Sequence, residues 1–161
     1  MITKYNEVVD EKYFITDFNP KLKAFVHHFT EDKLKIEDIP QNELLFDFLK
    51  QVGKPSSLSW QESAILLGIY SLNSMFKESI GEKIFSFFNL DKPDILEFSL
   101  MLKELISNDF IESNQGRLIR RLTERTVFNL SDAVYDQFIK ESQILPINYE
   151  CEEFKDFLFR F

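Results

Sequence analysis

Residues 59–74 combine a clear helix start with a side-chain pattern that is apolar almost all the way round. Ser59 and Glu62 have the spacing of a capping box, in which each side chain accepts a hydrogen bond from the other residue's backbone amide. A helix with apolar residues on every side is stable only when other elements cover it. The segment therefore predicts a helix at the centre of a core. Gly68 should let a neighbouring element approach closely, since glycine inside a helix costs roughly 1 kcal/mol relative to alanine. The apolar residues of this helix are Ala64, Ile65, Leu66, Leu67, Ile69, Tyr70 and Leu72.

The remainder of the chain is rich enough in aromatic residues to surround such a helix. Eighteen of the 161 residues are phenylalanine and 44% are hydrophobic, whereas disordered chains are poor in aromatic residues. The length fits one domain with room for an appendage. No apolar run reaches the ~20 residues of a membrane span, and the first ten residues lack the apolar core of a signal peptide. Because the single cysteine, Cys151, cannot form an internal disulfide, we expect a cytoplasmic protein.

Polar caps and prolines predict two helices before the central one. Asn19 and Pro20 suit the N-cap and first turn of the segment KLKAFVHHFT. Asp38 and Pro40 suit the start of a second, phenylalanine-rich helix, QNELLFDFLKQV. Gly53 can end that helix in the left-handed conformation.

Two further helix starts follow the central helix. Ser79 and Glu82 repeat the capping-box spacing and predict a short helix. Asp91 and Pro93 mark the start of a longer helix. Its apolar positions recur at helical spacing, which predicts one buried face. These positions are Ile95, Phe98, Met101, Leu102, Leu105 and Ile106.

The pattern then changes from helical to strand-like. Residues 110–112 and 126–130 are rich in the β-branched and aromatic residues that favour strands. Gly116, between them, can adopt the positive φ of a turn, so the two segments predict a β-hairpin. Ser131 then suits the N-cap of a helix that runs to about Glu141.

From residue 59 to about residue 140, the order of elements resembles that of a winged-helix domain: three helices, a two-stranded wing and a final helix. The stretch LEFSLMLKELISNDFIESN resembles the segment of that family in which the third helix runs through a short loop into Phe-Ile or Leu-Ile. The stretch TVFNLSDAVYDQF resembles its closing segment of strand, Leu-Ser or Leu-Thr, and helix. The resemblance implies a mainly α fold with a small β-hairpin. It divides the chain into a helical N-terminal extension (1–57), a winged-helix domain (58–142) and a C-terminal amphipathic helix (143–161).

Winged-helix domains occur in DNA-binding regulators and as accessory domains of AAA+ ATPases, where they contact partners or neighbouring subunits. The N-terminal extension, the acidic composition and the hydrophobic first helix are similar to those of N-terminal domains of bacterial AAA+ ATPases. This resemblance implies a non-enzymatic protein-interaction domain of a larger ATPase assembly, with protein partners that include its other subunits. The alternative is a DNA-binding winged-helix regulator that uses its wing.

Nothing in the sequence has the pattern of a catalytic or cofactor site. The segments most similar to a phosphate-binding loop, Gly53-Lys54-Pro55-Ser56 and Gly81-Glu82-Lys83, lack its earlier glycine. The four glycines are also too widely spaced for a GxGxxG motif. The adjacent His27 and His28 would point about 100° apart on a helix, which favours structural or solvent-facing roles over metal binding. We therefore predict no enzymatic activity, no metal and no cofactor.

The net charge of −8 is unevenly distributed along the chain. Four of the five arginines lie in residues 117–125, the predicted wing, which carries +3, so the other residues carry −11. These arginines can pair with a partner's carboxylates, bind nucleic-acid phosphates or balance nearby acids in a solvated loop. The helix within residues 91–109 carries −3, which opposes the counterion release that drives DNA binding. A protein partner is therefore favoured over nucleic acid, and no membrane is expected. The arginines are Arg117, Arg120, Arg121 and Arg125.

An apolar stripe near the end of the chain is a second candidate interface. Residues 150–161 predict a helix whose apolar residues recur at i, i+3, i+4 and i+7. Such a stripe packs on its own domain or marks a contact with a partner. Helical spacing also places Trp60 and the phenylalanine-rich helix in the core. The stripe consists of Phe154, Phe157, Leu158 and Phe161.

Overall fold

The computed structural model describes Ile15 and residues 17–76, 79–114 and 126–143. This part of the chain contains six α-helices, two short 3₁₀ helices and three short strands. It is mainly helical with a small antiparallel sheet, as the sequence predicts in outline.

The first helix, α1, spans Phe18–Thr30. The prediction that Asn19 caps this helix is wrong, because Asn19 lies inside its first turn and is buried. The Asn19 side-chain amide instead donates to the backbone carbonyl of Ser142, over 2.5 Å. A buried amide needs such a partner, so this residue ties α1 to the last described helix.

A 3₁₀ helix, Ile36–Gln41, leads into α2, Glu43–Gly53. The predicted start of α2 at Asp38 is wrong, because Asp38 accepts from a backbone amide at the start of the 3₁₀ helix. Asn42 caps α2 instead, with its side chain accepting from the amide of Leu45 over 3.3 Å.

Gly53 ends α2 for a different reason from the predicted one. Its φ is −84°, in the right-handed region, and a second 3₁₀ helix, Lys54–Ser56, continues the chain. A Cβ atom at Gly53 would overlap Ser63 Oγ and the backbone carbonyl of Leu58. The glycine is therefore needed because the chain that enters the next helix passes so close.

The central helix, α3, spans Trp60–Phe76. The predicted capping box is confirmed: the Glu62 amide donates to Ser59 Oγ over 3.1 Å, and the Ser59 amide donates to Glu62 Oε1 over 3.0 Å. Residues 63–72 are all buried. The predicted close approach at Gly68 is also confirmed, because a Cβ atom there would overlap the ring of Phe88.

A two-residue strand, β1 (Ser79–Ile80), and a short helix, α4 (Gly81–Phe87), follow α3. The prediction that Ser79 is the N-cap of this helix is wrong, because Ile80 holds that position and Ser79 pairs with Phe128 in the sheet. Ile80 precedes the helix and supplies no side-chain cap. The pairing of this strand with a segment almost fifty residues later outweighs the local capping signal.

The longer helix, α5, spans Lys92–Ser107. Its predicted start is confirmed, because Asp91 and Asp94 form a reciprocal capping box there. The predicted apolar face is also confirmed: Phe98, Leu102, Leu105 and Ile106 are buried, and Ile95 and Met101 pack against the core while remaining partly exposed.

The two predicted hairpin strands are β2 (Ile111–Ser113) and β3 (Val127–Leu130). They pair antiparallel, with Ile111 opposite Leu130. The strand order is β1-β3-β2, so β3 lies in the middle and joins the hairpin to the segment between α3 and α4.

The last described helix, α6, spans Asp132–Gln143. Its start lies close to the predicted one, but Ser131 does not cap it through its side chain. The Ser131 hydroxyl is buried and has no hydrogen bond with any residue that the structure describes. Its backbone carbonyl accepts from the amide of Tyr135 over 3.0 Å.

One hydrophobic core joins the helices on both sides of residue 57. On α1, Phe18 contacts Phe48 of α2 and Phe138 of α6 at centroid distances of 5.7 and 6.1 Å. Phe29 of α1 meets Phe88, which follows α4, at 4.9 Å. The division at residue 57 stays a prediction, and α1 and α2 share this core with α3 to α6. The fully buried rings are Phe18, Phe25, Phe29, Phe48, Phe88, Phe98 and Phe128.

Candidate functional site

The site residues chosen from the sequence lie outside the described residues and stay predictions. They are Arg117, Arg120, Arg121 and Arg125 of the wing and Phe154, Phe157, Leu158 and Phe161 of the C-terminal stripe; the predicted turn at Gly116 and Cys151 also lie outside. The structure does describe the two ends of the hairpin. The backbone amide of Asn114 donates to the carbonyl oxygen of Val127, and the backbone amide of Val127 donates to Asn114 Oδ1, over 3.2 Å in each case. The residues on either side of the arginine-rich segment therefore lie next to each other.

The outward side of α5 carries two exposed leucines. Leu96 is 71% exposed and Leu100 is 59% exposed. They are four positions apart and so lie one above the other on the helix surface. Glu97 and Glu104 are exposed beside them. We call these four residues the α5 face.

The α5 face is absent from the sites that the sequence predicted, although a signal for it was present. Leu96 and Leu100 lie outside the apolar stripe of their own helix and share i, i+4 spacing. Two leucines on the polar side of an amphipathic helix are an exception to its pattern. Single exposed apolar residues are common on protein surfaces, but a stacked pair forms a small apolar surface that a partner could cover.

The start of α5 is anchored by a lysine from the N-terminal part of the chain. Lys35 Nζ lies 2.6 Å from Asp91 Oδ2 and 3.1 Å from Asp94 Oδ2. The hydrogen bonds that Lys35 donates to these two carboxylates raise the pKa of Lys35. The hydrogen bond from Lys35 lowers the pKa of Asp94. The contacts of Lys35 with these two residues join the start of the 3₁₀ helix to the first turn of α5.

Beside this anchor, a groove of about 270 Å³ opens between the 3₁₀ helix, the start of α3 and α5. Trp60 lies on its wall, half-buried, with its ring edge-on to Phe46 at a centroid distance of 5.5 Å. The prediction that Trp60 belongs to the core is confirmed only in part, because the ring packs on the core at its edge. We call this cavity the Trp60 groove. Its other lining residues are Lys35, Ile36, Glu37, Gln61, Leu90, Asp94, Glu97, Phe98 and Met101.

A buried carboxyl group lies on α6, beside the start of α1. Glu141 is buried and accepts from the backbone amide of Ile15 through Oε2, over 3.1 Å. Its other oxygen has no hydrogen bond among the described residues, and neither has the side-chain nitrogen of Gln137. Burial raises the pKa of Glu141 to about 7, against a smaller opposing effect of the Ile15 amide. The contact with the Ile15 amide gives this group a structural role.

The two histidines face different surroundings. His28 is buried, with Nε2 3.0 Å from the carbonyl oxygen of Lys35. His27 is exposed, with Nδ1 3.3 Å from Asp32. In the described ranges, no three His, Cys, Asp or Glu side chains are grouped to hold a metal ion.

Comparison of the chain with protein-family models, with curated proteins and with solved structures found no match. No helix in the described part of the chain combines the length and the apolar character that crossing a membrane requires. The α5 face, the Trp60 groove and the order of the elements are therefore the features that bear on function.

Proposed function

We propose that this chain is a non-enzymatic protein-interaction domain of winged-helix type. The order α3, β1, α4, α5, β2, β3 supports the winged-helix part, since three helices precede a two-stranded hairpin. The central strand β3 pairs with both β1 and β2, which fixes the hairpin beside α4 and α5. The helix that would read DNA in such a fold is α5.

One observation carries the choice of a protein partner: Leu96 and Leu100 are exposed on the outward side of α5. A helix that enters the major groove presents donors and cations to bases and phosphates. Here the corresponding surface presents two leucines with Glu97 and Glu104 beside them. Carboxylates facing phosphates would reduce affinity for DNA. Apolar side chains are suited to burial in a protein interface.

The α5 face can be tested with a pair of leucine variants. We expect Leu96→Ser/Leu100→Ser to lose the proteins that the tagged chain recovers from its native cells. Leu44→Ser is a matched control, because Leu44 is a 75% exposed leucine on α2. Both variants should unfold within about 0.5 kcal/mol of the wild type, since surface substitutions rarely cost more. Equal recovery by all three chains would contradict the proposal.

The larger assembly remains part of the proposal. The resemblance to N-terminal domains of bacterial AAA+ ATPases supports a role as an accessory domain, whose partners include subunits of the same assembly. A nucleotide-binding loop of the form GxxxxGK[ST], encoded downstream in the same reading frame, would support this role. A stop codon directly after Phe161 would remove the ATPase part and leave the protein-binding part standing.

DNA binding by the wing is the alternative. Four arginines within residues 117–125 favour it, because arginine can bind phosphates or enter a narrow minor groove. This mode would not require α5 to enter the major groove.

A further inference from the structure

The Trp60 groove adjoins the α5 face, since Glu97 belongs to both. We propose that this groove binds an arginine or lysine side chain, with a neighbouring apolar residue, from the protein partner. This inference rests on the proposed function, and it specifies the chemistry of the partner's docking segment.

The apolar part of the groove suits the aliphatic portion of the incoming segment. Ile36, Trp60, Leu90 and Met101 are half-buried along its walls, and Phe98 closes it from the core side. Long cationic side chains pack their methylene groups on such surfaces while the charged end stays near water. A tryptophan ring is also the aromatic surface that cations prefer. Phe46, which packs against Trp60, already has the Lys50 ammonium group 4.4 Å from its ring centroid.

The charge of the groove favours a cation. Its lining contains one lysine and three carboxylates, a net charge of −2. Lys35 already forms ion pairs with Asp91 and Asp94. Glu37 and Glu97 are exposed and make no ion pair with any residue that the structure describes. A cationic side chain would therefore meet two carboxylates that have no other cation among these residues.

The size of the groove favours side chains over a cofactor. Its volume of about 270 Å³ lies just below the ~300–1,000 Å³ typical of small-molecule sites. The space suits one charged side chain and one apolar neighbour. Its negative charge disfavours phosphates, so neither a nucleotide nor the backbone of DNA is a suitable occupant.

Trp60 makes the test direct, because it is the only tryptophan in the chain and its fluorescence reports on the groove alone. The probe is the blocked tripeptide acetyl-Leu-Arg-Leu-amide. Its matched control replaces arginine with citrulline, which keeps the shape and removes the charge. We expect saturable binding of the arginine peptide, with a Kd on the order of 1 mM for so small a ligand. Binding of the citrulline peptide should be at least about fivefold weaker.

Variants on the protein side identify the groups involved. Glu37→Gln/Glu97→Gln should weaken binding of the arginine peptide about three- to tenfold, since two exposed charge pairs are lost. Glu82→Gln, which changes an exposed carboxylate on α4 outside the groove and the α5 face, should leave the affinity unchanged within about twofold. All three positions are exposed, so the variants should fold, and circular dichroism would verify this.

Three results would overturn the inference. The first is the absence of a saturable change at millimolar arginine peptide, and the second is equal binding of the two peptides. The third is self-association of the chain in sedimentation that Glu37→Gln/Glu97→Gln abolishes, because it would assign the groove to a second copy. The proposed role of the α5 face is tested independently of the groove. The variant Leu96→Ser/Leu100→Ser should retain peptide binding whether or not it loses cellular partners.

Discussion

The ammonium group of Lys35 lies 2.6 Å from the carboxylate of Asp91, a contact between residues 56 positions apart in the chain. It joins the 3₁₀ helix of the N-terminal part to the first turn of α5. The same lysine also reaches Asp94, whose carboxylate caps the helix from within. Since α5 contributes both the exposed leucines and one wall of the Trp60 groove, this contact lies beside the candidate interface.

Removal of Lys35 should change the ionisation of Asp94. The hydrogen bond from Lys35 is the main cause of the lowered pKa of Asp94. In Lys35→Met we therefore expect this pKa to rise toward its ordinary value of 3.8, as measured by NMR titration of the side-chain carboxyl. A lowered carboxyl pKa stabilises the fold above the unfolded-state value, and this contribution is lost as the pH falls. The variant should accordingly lose part of the acid dependence of its stability.

Lys50→Met provides the control for this experiment. Lys50 pairs with Asp47 on the exposed side of α2, over 3.3 Å. The described ion pair of Asp94 is with Lys35 and does not involve Lys50. The pKa of Asp94 should not change in this variant. An unchanged pKa in Lys35→Met as well would show that the lysine does not hold the start of α5.

Gly68→Ala should destabilise the protein even though alanine is the better helix former. The added Cβ would overlap the ring of Phe88, which is fully buried against other aromatic rings. Overpacking of a close-packed core costs about 1–3 kcal/mol, more than the roughly 1 kcal/mol gained in helix propensity. We expect a lower free energy of unfolding in denaturant titration, whereas the exposed Ser86→Ala should be nearly neutral. A more stable Gly68→Ala would show that Phe88 does not pack on α3.

Glu141 should make stability depend on pH around neutrality. Its pKa is about 7 in the folded protein against an ordinary value of 4.5. Between these two values the folded state holds a proton that the unfolded state has lost, so the free energy of unfolding falls as the pH rises. The fall should total roughly 3 kcal/mol, since each unit of pKa shift corresponds to about 1.4 kcal/mol.

The Glu141→Gln variant should lack this part of the pH dependence. Glutamine keeps the shape of the side chain and can accept from the Ile15 amide, but it does not ionise. The difference in unfolding free energy between the two proteins, measured by denaturant titration from pH 4.5 to pH 8, should therefore change with pH in favour of the variant. A constant difference would mean that the carboxyl group is ionised throughout.

The charge pattern of the chain predicts that duplex DNA does not bind it. We expect no saturable binding in titrations at about 50 mM and about 200 mM salt, because the chain and its α5 helix carry net negative charge. Binding to the DNA phosphates would instead be recognised by a steep salt dependence. Binding that weakens with salt and disappears in Arg120→Glu/Arg121→Glu would favour the wing-dependent regulator instead.

Features that depend on neighbours in sequence were predictable. The Ser59 and Asp91 helix starts each use side chains within three residues. The apolar face of α5 and the hairpin strands follow from the period of the hydrophobic pattern. Gly68 was also identified, since a glycine inside an otherwise apolar helix needs a reason, which is the ring of Phe88.

Features decided by distant residues were not predictable from local signals. Asn19 resembles a cap in sequence, yet its partner is Ser142, 123 positions away. Ser79 has capping-box spacing, yet it pairs with Phe128 in the sheet. The contact of Lys35 with Asp91 and the groove beside it depend on how the first 3₁₀ helix, α3 and α5 pack, and no local pattern encodes that packing.

The most direct test of the protein-binding role is site-specific photo-crosslinking in the native cells. A photoreactive phenylalanine analogue would replace Leu100, with the same analogue at the exposed position Ser86 of α4 as the control. We predict a discrete protein adduct from position 100 that is absent from position 86 and is reduced by Leu96→Ser. A nucleic-acid adduct from position 100, or the same protein adducts from both positions, would contradict the account.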